Sequence, residues 1–178
     1  MKILAISGHA QNGKDTVAGL LRESLKADGN RVLVTHYADL LKYMCRAFFN
    51  WDGNKDEKGR HILQYVGTDI IRKQAPDFWV DFISSVLTYF NENWDYVLIP
   101  DTRFPNEINK LLSNDFDVTH IRVVRPNFES SLTEEQKNHP SETALDNVNP
   151  DFYIYNEGSM EELRVKINEW IKENLYRG

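Results

Sequence analysis

The sequence predicts a three-layer α/β fold, in which helices cover both faces of a central, mostly parallel sheet. The chain opens with a short and nearly continuous apolar run, Lys2–Ser7, which is typical of a central strand buried on both faces. An apolar stripe at helical spacing follows at once, formed by Val17, Leu20, Leu21 and Leu25. Strand-like and helix-like stretches then alternate along the chain, as parallel strands with helical crossovers require.

The second strand is expected over about residues 31–37, after the stop signal Asp28-Gly29-Asn30 ends the first helix. A helix then follows Asp39, whose short acidic side chain suits a first helical turn. This helix carries the chain's one cysteine, Cys45, in an apolar setting. We therefore expect a buried structural thiol there rather than a nucleophile.

Two helical patterns with no strand between them come next. They cover about residues 62–71 and 79–90, and Ala75-Pro76-Asp77 separates them. Trp79, at the start of the second pattern, is expected in the core. Because the alternation of strands and helices is interrupted here, residues 50–94 are predicted to form a helical insertion that binds an acceptor.

The alternation resumes in the second half of the chain. A strand, a helix and a strand are predicted at about residues 96–100, 106–113 and 118–124. Residues 125–150 are polar and too long for an ordinary connection, so a mobile lid is expected there. A last strand, at residues 151–155, leads to a capping box from Ser159 to Glu162 that opens the final helix.

Length and charge limit the function classes. At 178 residues and a formal net charge of −6, the chain is predicted to be one domain, residues 1–178, without nucleic acid as a direct partner. No stretch resembles a signal peptide or approaches the roughly 20 apolar residues of a membrane span. A cytoplasmic protein with no membrane partner is expected. The chain leaves the oligomeric state open, and a homodimer is compatible with it.

The strongest chemical signal is the run Gly8-x4-Gly13-Lys14 between the first strand and the first helix. Glycines at this spacing let backbone N–H groups point into one concavity, the helix N-terminus adds partial positive charge, and Lys14 can reach the β- and γ-phosphates. A plain strand-to-helix turn needs no such pattern. We predict a phosphate-binding loop (P-loop), and with it the P-loop NTPase fold, with Gly8, Asn12, Gly13 and Lys14 as contacts for a nucleoside triphosphate.

The residue after Lys14 departs from the usual P-loop pattern. Asp15 stands where serine or threonine normally offers a hydroxyl to magnesium. Asp15 can bind Mg²⁺ directly or through water, since magnesium favours carboxylate oxygens, and capping of the helix is an equal alternative. Thr16 would then offer its hydroxyl and backbone N–H to the α-phosphate side of the loop.

A second candidate group follows the predicted strand at residues 96–100. Asp101 stands at the carboxyl edge of the sheet, where ligands of open α/β sheets collect, and can hold magnesium or its waters. Arg103 can clamp a phosphoryl oxygen through two parallel N–H groups. A simple ion pair between Asp101 and Arg103 is the alternative.

Two further residues are candidate contacts for an acceptor. Asp39 follows the second strand and belongs to the same sheet edge, although it could equally cap a helix. Arg72, in the helical insertion, can bind an acceptor phosphate, and a solvated surface arginine is the alternative.

Four side chains in or beside the predicted lid are also candidates. Arg122 and Arg125 can neutralise charge that develops on a transferred phosphoryl group, and only one of them need do so. His139 and Glu142 belong to the polar segment His139-Pro140-Ser141-Glu142 and are candidate substrate contacts, because histidine can bond a base or a phosphate. An ordinary surface turn is the alternative.

Taken together, these residues resemble the deoxynucleoside monophosphate kinases of bacteriophages. The resemblance covers nearly the whole chain and rests on three blocks: Gly8–Thr16, Asp101-Thr102-Arg103-Phe104-Pro105-Asn106-Glu107 and His139–Asp146. Asp often follows the P-loop lysine in that family, and the second block is the most discriminating because it does not follow from the fold. The resemblance implies a P-loop α/β fold and transfer of the γ-phosphoryl group of ATP, with Mg²⁺, to a small-molecule acceptor, a deoxynucleoside monophosphate.

Carried over residue by residue, the resemblance implies three groups of contacts. The ATP phosphates would be bound by Gly8, Gly13, Lys14, Asp15 and Thr16. Metal and phosphates would be served by Asp101 and Arg103. The acceptor would be contacted by Asp39, Lys42 and Arg72. The groups expected to act in catalysis are Lys14, Asp101, Arg103 and the lid arginine Arg125.

Two alternatives stay open at this point. One is a kinase for another small phosphorylated metabolite, since a Gly-Lys-Asp loop is not restricted to nucleotide acceptors. The other is a nucleotide-dependent switch that holds a triphosphate without transferring phosphate. The switch is disfavoured because one triphosphate does not require four arginines. These arginines are Arg72, Arg103, Arg122 and Arg125.

Overall fold

The protein is built around one parallel sheet. Its strands are β1 (Lys2–Ser7), β2 (Val32–Val34), β3 (Tyr96–Ile99), β4 (Asp117–Val124) and β5 (Phe152–Tyr155). The computed structural model describes residues 1–176, and within them the strand order is β2-β3-β1-β4-β5, with every neighbouring pair parallel. The predicted α/β fold with a central parallel sheet is confirmed.

Helices connect the strands and cover both faces of the sheet. They are α1 (Lys14–Ala27), α2 (Ala38–Phe49), α3 (Glu57–Gln64), α4 (Phe78–Tyr89), α5 (Pro105–Ser113), α6 (Glu134–Asn138), α7 (Pro140–Thr143) and α8 (Met160–Asn174). A π-helical stretch, Tyr65–Arg72, continues directly from α3, and a short 3₁₀ turn, Asn91–Asn93, follows α4.

The three layers follow from the alternation of side chains along β1. Leu4 and Ile6 belong to a buried cluster on one face of the sheet, which α1 and α8 complete. Ile3 belongs to a second cluster, which α2, the π-helical stretch, α4 and α5 complete. Both faces of β1 are therefore buried, which explains why its sequence is a nearly continuous run of apolar residues.

The second strand is shorter than predicted. β2 ends at Val34 instead of continuing to about residue 37. The carboxylate of Asp101 accepts hydrogen bonds from the backbone N–H groups of Tyr37 (3.0 Å) and Ala38 (2.9 Å). At the start of a helix such N–H groups have no partner within the helix itself. An apolar run cannot reveal this turn, because the partner of Tyr37 lies 64 residues further along the chain.

Three local predictions are confirmed. Cys45 and Trp79 are buried, with 0% and 3% of their surface exposed. The capping box opens α8, since the N–H of Glu162 donates to Ser159 Oγ (3.2 Å) and the N–H of Ser159 donates to the Glu162 carboxylate (2.6 Å).

The chain between β4 and β5 contains the two short helices α6 and α7, where the sequence indicated only an irregular lid. The single-domain organisation, the bounds of the insertion and the mobility of the lid stay predictions. None of the helices within residues 1–176 is both long enough and apolar enough to cross a membrane.

Candidate active site

The P-loop closes around its lysine. Gly8 and Gly13 have φ values of 136° and 93°, in the backbone region that favours glycine. A Cβ atom on Gly8 would lie 2.3 Å from the carbonyl oxygen of Val123, so glycine allows the loop to pass against β4. Lys14 Nζ donates to the carbonyl oxygens of Gly8 (2.7 Å) and His9 (2.9 Å). The predicted phosphate contacts thus form a compact loop at a helix N-terminus.

Asn12 fixes the other side of this loop. The side-chain amide of Asn12 donates to the backbone carbonyl of Val123 (3.3 Å), and the backbone carbonyl of Asn12 accepts from the side chain of Asn156 (2.9 Å). Gly13 lies against the same asparagine, since a Cβ there would lie 2.3 Å from Asn156 Nδ2. The loop is therefore held by the ends of β4 and β5.

Lys14 is a buried cation, with 9% of its surface exposed. Loss of contact with water is the main reason why its pKa is lowered from 10.5 to about 8, and repulsion from Arg103 acts in the same direction. The carboxylates of Glu142, Asp15 and Asp101 partly offset this effect. An anion bound beside Lys14 would raise the pKa again, so the site favours anionic ligands.

A row of alternating charges joins the P-loop to α2. His36 Nε2 lies 3.3 Å from the Asp15 carboxylate, and Nδ1 lies 3.2 Å from that of Asp39. Asp39 in turn accepts from Lys42 Nζ at 2.8 Å. The hydrogen bond between Asp15 and His36 raises the pKa of His36 and lowers the pKa of Asp15. Sequence reasoning missed His36, although its place beyond β2, at the carboxyl edge of the sheet, is a usable signal.

Asp101 and Arg103 have different partners and do not pair with each other. Asp101 binds the backbone at the start of α2. Arg103 pairs with the carboxylate of Glu142 and donates to the carbonyl of Ser141 (2.7 Å). Both residues remain on the wall of the same cavity.

Glu107 is an enclosed carboxylate, with 1% of its surface exposed. It accepts the backbone N–H groups of Arg103 (2.7 Å) and Phe104 (3.0 Å), and Arg72 Nη2 donates to it at 2.6 Å. Burial raises the pKa of Glu107 to about 7, although Arg72 and the two N–H groups act against this rise. Arg72 also lies over the Phe104 ring, 3.9 Å from its centroid, so it is not a solvated surface arginine.

Residues 131–146, which we call the strap, cross the P-loop. The short helix α7 within the strap carries Glu142, whose side chain is 6% exposed. Its carboxylate accepts the backbone N–H of Ala10 (2.8 Å) and pairs with Arg103. The strap therefore connects the P-loop to the loop between β3 and α5.

The other two candidate arginines differ in their surroundings. Arg122 belongs to β4 rather than to the lid, and its guanidinium donates to the carbonyls of Leu145 and Val148 (2.7 Å to Val148). Arg125 is exposed and lies 4.2 Å from the centroid of the Phe128 ring. Arg122 anchors the end of the strap in this arrangement, and Arg125 contacts neither Lys14 nor Arg103.

His139 is held within the protein. Its Nδ1 accepts the backbone N–H of Ser141 (3.2 Å), which caps α7. Its Nε2 is buried, lies 3.7 Å from Asp69 Oδ1 and has no hydrogen-bond partner among residues 1–176. His139 thus joins the strap to the helical insertion.

A cavity of about 630 Å³ lies between the P-loop, α2, α3, the π-helical stretch and the strap. The predicted site residues that line it are Lys14, Asp15, Lys42, Arg72, Asp101, Arg103 and Glu142. Sequence reasoning missed other lining residues, among them His36, Gln64 and Thr68. A smaller cavity of about 320 Å³ shares Arg103 and Glu142 with the first and is bordered by Gly8 and Asn12. The predicted site residues that line neither are Gly13, Thr16, Asp39, Arg125 and His139.

The donor set of the cavity fits magnesium. Within residues 1–176, no three His, Cys, Asp or Glu side chains converge as a ready-made metal cage. Magnesium needs none, since it keeps several waters and binds one or two carboxylates together with substrate phosphates. Asp15, with 83% of its side chain exposed, and Asp101 supply such carboxylates beside the P-loop.

Comparisons with known proteins identify the family to which the chain is similar. The family model described as "Deoxynucleotide monophosphate kinase" matches residues 46–167. The deoxynucleotide monophosphate kinase of Enterobacteria phage T4 is 36% identical over 115 residues, which are 64% of this chain and 45% of that protein. Its counterpart from Escherichia phage RB69 is 28% identical over 89% of this chain and 65% of its own. The chain thus spans less than two thirds of the length of both relatives.

A third relative and the solved structures extend the comparison. A putative deoxynucleotide monophosphate kinase of Acanthamoeba polyphaga mimivirus is 25% identical over 94% of both chains. The Mycobacterium tuberculosis APS kinase CysC, in complex with AMPPNP and APS, superposes with a TM-score of 0.54 at 14% identity, over 96% of this chain and 97% of that one. Shikimate kinase from Aquifex aeolicus gives a TM-score of 0.52 at 17% identity over the whole of both chains. These two likenesses show the fold. Because the family model matches well over half of the chain, the protein belongs to the deoxynucleotide monophosphate kinase family.

Proposed function

We propose that the protein transfers the γ-phosphoryl group of ATP to a deoxynucleoside 5′-monophosphate. The observation that carries this proposal is the 630 Å³ cavity that the P-loop shares with the helical insertion. Its size is within the roughly 300–1,000 Å³ of ordinary small-ligand sites. One wall presents Lys14, which suits a phosphate, and Asp15, which suits Mg²⁺, and the other presents Gln64 and Thr68, which suit a nucleoside. The relatives' names supply the class of acceptor.

The P-loop is proposed to hold the donor. Lys14 and the loop's backbone N–H groups would bind the β- and γ-phosphates of ATP, and Thr16 would serve the α-phosphate side. Lys42, on α2, would contact the phosphate of the acceptor, and Arg103 would bind an oxygen of the transferred phosphoryl group. Both line the cavity, and Lys42 pairs with Asp39 at 2.8 Å.

The reaction is an in-line displacement. An oxygen of the acceptor phosphate, already an anion near neutral pH, attacks the γ-phosphorus, so no strong general base is needed. The new P–O bond forms as the bond from the γ-phosphorus to the β,γ-bridging oxygen breaks, and ADP leaves with that electron pair. Lys14 and Arg103 neutralise the charge that shifts between these oxygens. The enclosing strap keeps out water, which limits hydrolysis of ATP.

Asp15 and Asp101 are proposed to hold Mg²⁺, either directly or through its waters. When bound, this ion supplies positive charge that offsets the charge on the phosphate oxygens. The hydrogen bond with His36, which lies just before α2, would help to orient the Asp15 carboxylate.

The proposal is tested by ADP formation from ATP and Mg²⁺ with each deoxynucleoside and ribonucleoside monophosphate in turn. Acceptor-dependent ADP release with at least one deoxynucleoside monophosphate is expected. The product should be the matching diphosphate, identified by chromatography. No ADP above the acceptor-free rate with any monophosphate would refute the proposal.

Lys14→Ala should lower phosphoryl transfer by at least about a hundredfold, the scale of losing one main charge stabiliser. Lys26→Ala is the matched control, because Lys26 lies in the last turn of the same helix and is exposed. The control should keep the parent's turnover. Near-normal turnover in Lys14→Ala would show that the P-loop lysine does not act as proposed.

A further inference from the structure

We propose that Glu142 is a positioning residue, which couples docking of the strap to the shape of the P-loop and to the placement of Arg103. On this inference the site reaches its working arrangement only while the strap lies across the loop. Glu142 would therefore act on the reaction through other groups, without touching either substrate.

Both oxygens of the Glu142 carboxylate are engaged by the site. One accepts the backbone N–H of Ala10 at 2.8 Å, and the other pairs with Arg103. Arg103 Nη1 also donates to the carbonyl of Ser141, the residue before Glu142 (2.7 Å). Within the strap, Ser141 and Glu142 thus both bind Arg103, and Glu142 also binds the P-loop.

The contacts on either side of Ala10 hold the loop in a conformation that costs free energy. Gln11 has a φ of 66°, in the left-handed region that residues other than glycine rarely adopt. Its side-chain amide donates to Ser131 Oγ (2.8 Å) and accepts the backbone N–H of Ser131 (3.0 Å). On the other side, His9 Nε2 lies 3.2 Å from the Asp146 carboxylate. The strap therefore acts on three successive residues of the loop.

The charge of Glu142 also argues against direct contact with a phosphate. Its side chain is 6% exposed, and a carboxylate repels the anions that the cavity is proposed to hold. Paired with Arg103, it instead orients a guanidinium whose Nε and Nη2 groups have no hydrogen-bond partner among the described residues. Those two donors are left for a phosphoryl oxygen.

The kinetic test of this inference rests on the proposed phosphoryl transfer. Glu142→Gln keeps the side chain's size and removes its charge, and Glu135→Gln, at an exposed position of the same strap, is the matched control. We expect Glu142→Gln to lower kcat about 10- to 100-fold, the scale of a misplaced group, with the acceptor KM changed by less than about threefold. A tenfold or greater rise in acceptor KM at unchanged kcat would make Glu142 a direct ligand and overturn the inference.

A double variant tests the link to Arg103. If Glu142 acts in part through the arginine, adding Glu142→Gln to Arg103→Ala should lower kcat by a smaller factor than Glu142→Gln does in the parent protein. Losses that multiply would show that the two residues act independently, and this result would also overturn the inference.

Hydrogen exchange followed by mass spectrometry gives a readout that needs no activity. Glu142→Gln should speed amide exchange in residues 8–13 and in the strap, whereas Glu135→Gln should not. Unchanged exchange at residues 8–13 would overturn the coupling. Should Glu142→Gln fail to fold, Glu142→Asp, which keeps the charge and shortens the side chain, carries the same comparison, with the same two outcomes. An inactive parent protein with the expected exchange response would refute the proposed function and leave this inference standing.

Discussion

Glu107→Gln should be among the most damaging single substitutions in the protein, although it changes neither the size of the side chain nor a substrate contact. The carboxylate is 1% exposed and accepts three hydrogen bonds, from Arg72, Arg103 and Phe104. Glutamine keeps the shape and opens no cavity. Its NH₂ group, however, cannot accept a bond from any of these donors.

The magnitude follows from what the substitution leaves behind. Arg72, whose side chain is 12% exposed, becomes a nearly buried cation without its counter-charge. Breaking a buried ion pair on one side costs about 3–5 kcal/mol of unfolding free energy. In a domain of this size that corresponds to a fall of roughly 10 °C in melting temperature.

Urea unfolding above about pH 8, where Glu107 with its pKa of about 7 is ionised, measures this loss by fluorescence against Glu169→Gln, a surface control on α8. A double-mutant cycle with Arg72→Met isolates the pair, and the coupling free energy should be at least about 1 kcal/mol, since removing both charges leaves neither unpaired. The reasoning is refuted if Glu107→Gln unfolds at the urea concentration of the control, or if the two single losses simply add.

Two further predictions concern the P-loop. The pKa of Lys14 is lowered to about 8, and the protonated lysine is the form that binds phosphate. The affinity for a non-hydrolysable ATP analogue should therefore fall as the pH rises above about 8. Titration calorimetry that shows a constant Kd up to about pH 9.5 would contradict this prediction. Gly8→Ala should lower the free energy of unfolding in urea by about 2–4 kcal/mol, because its Cβ would lie 2.3 Å from the Val123 carbonyl oxygen. Gly19→Ala in α1 is the control and should be neutral or stabilising, since no atom lies within 4 Å of the added Cβ. Equal effects of the two substitutions would contradict the assigned role of Gly8.

Much of the fold could be predicted because its determinants are local. The apolar run of β1, the helical stripe of α1 and the capping box of α8 each specify an element within a few residues. The change to a π-helical stretch at Tyr65–Arg72 could not be predicted, because the spacing of apolar residues does not indicate which carbonyl each backbone N–H donates to. Such stretches are common at functional sites, and this one lines the main cavity with Gly67, Thr68 and Arg72.

The candidate site was predictable in its residue types and less so in its pairings. The P-loop and the Asp101–Glu107 block mark the right edge of the sheet, since both follow buried strands. The contact between Ala10 and Glu142, however, joins residues 132 positions apart. It depends on how residues 125–150 pack, and a polar segment with little periodicity carries no signal for that.

The partners of each cation also separate the residues that can bind a phosphate from those that cannot easily do so. Arg72 has Nη2 on Glu107 and Nη1 on Asn106 and Pro76, while its Nε is buried, so an incoming anion would have to displace a buried ion pair. Among residues 1–176, Lys42 pairs only with Asp39, whose side chain is 55% exposed, and such a pair contributes little and exchanges readily.

Arg103 combines the fixed position of Arg72 with the availability of Lys42 to an incoming phosphate. It is fixed through Nη1 by Ser141 and Glu142, yet its remaining donors are not committed within the described residues. A fixed guanidinium with free donors loses little entropy when it binds a phosphoryl oxygen. Substitution of Arg72 should therefore impair folding more than phosphoryl transfer, whereas substitution of Arg103 should do the reverse. Such an order would support the proposal that Arg103, rather than Arg72, binds the transferred group.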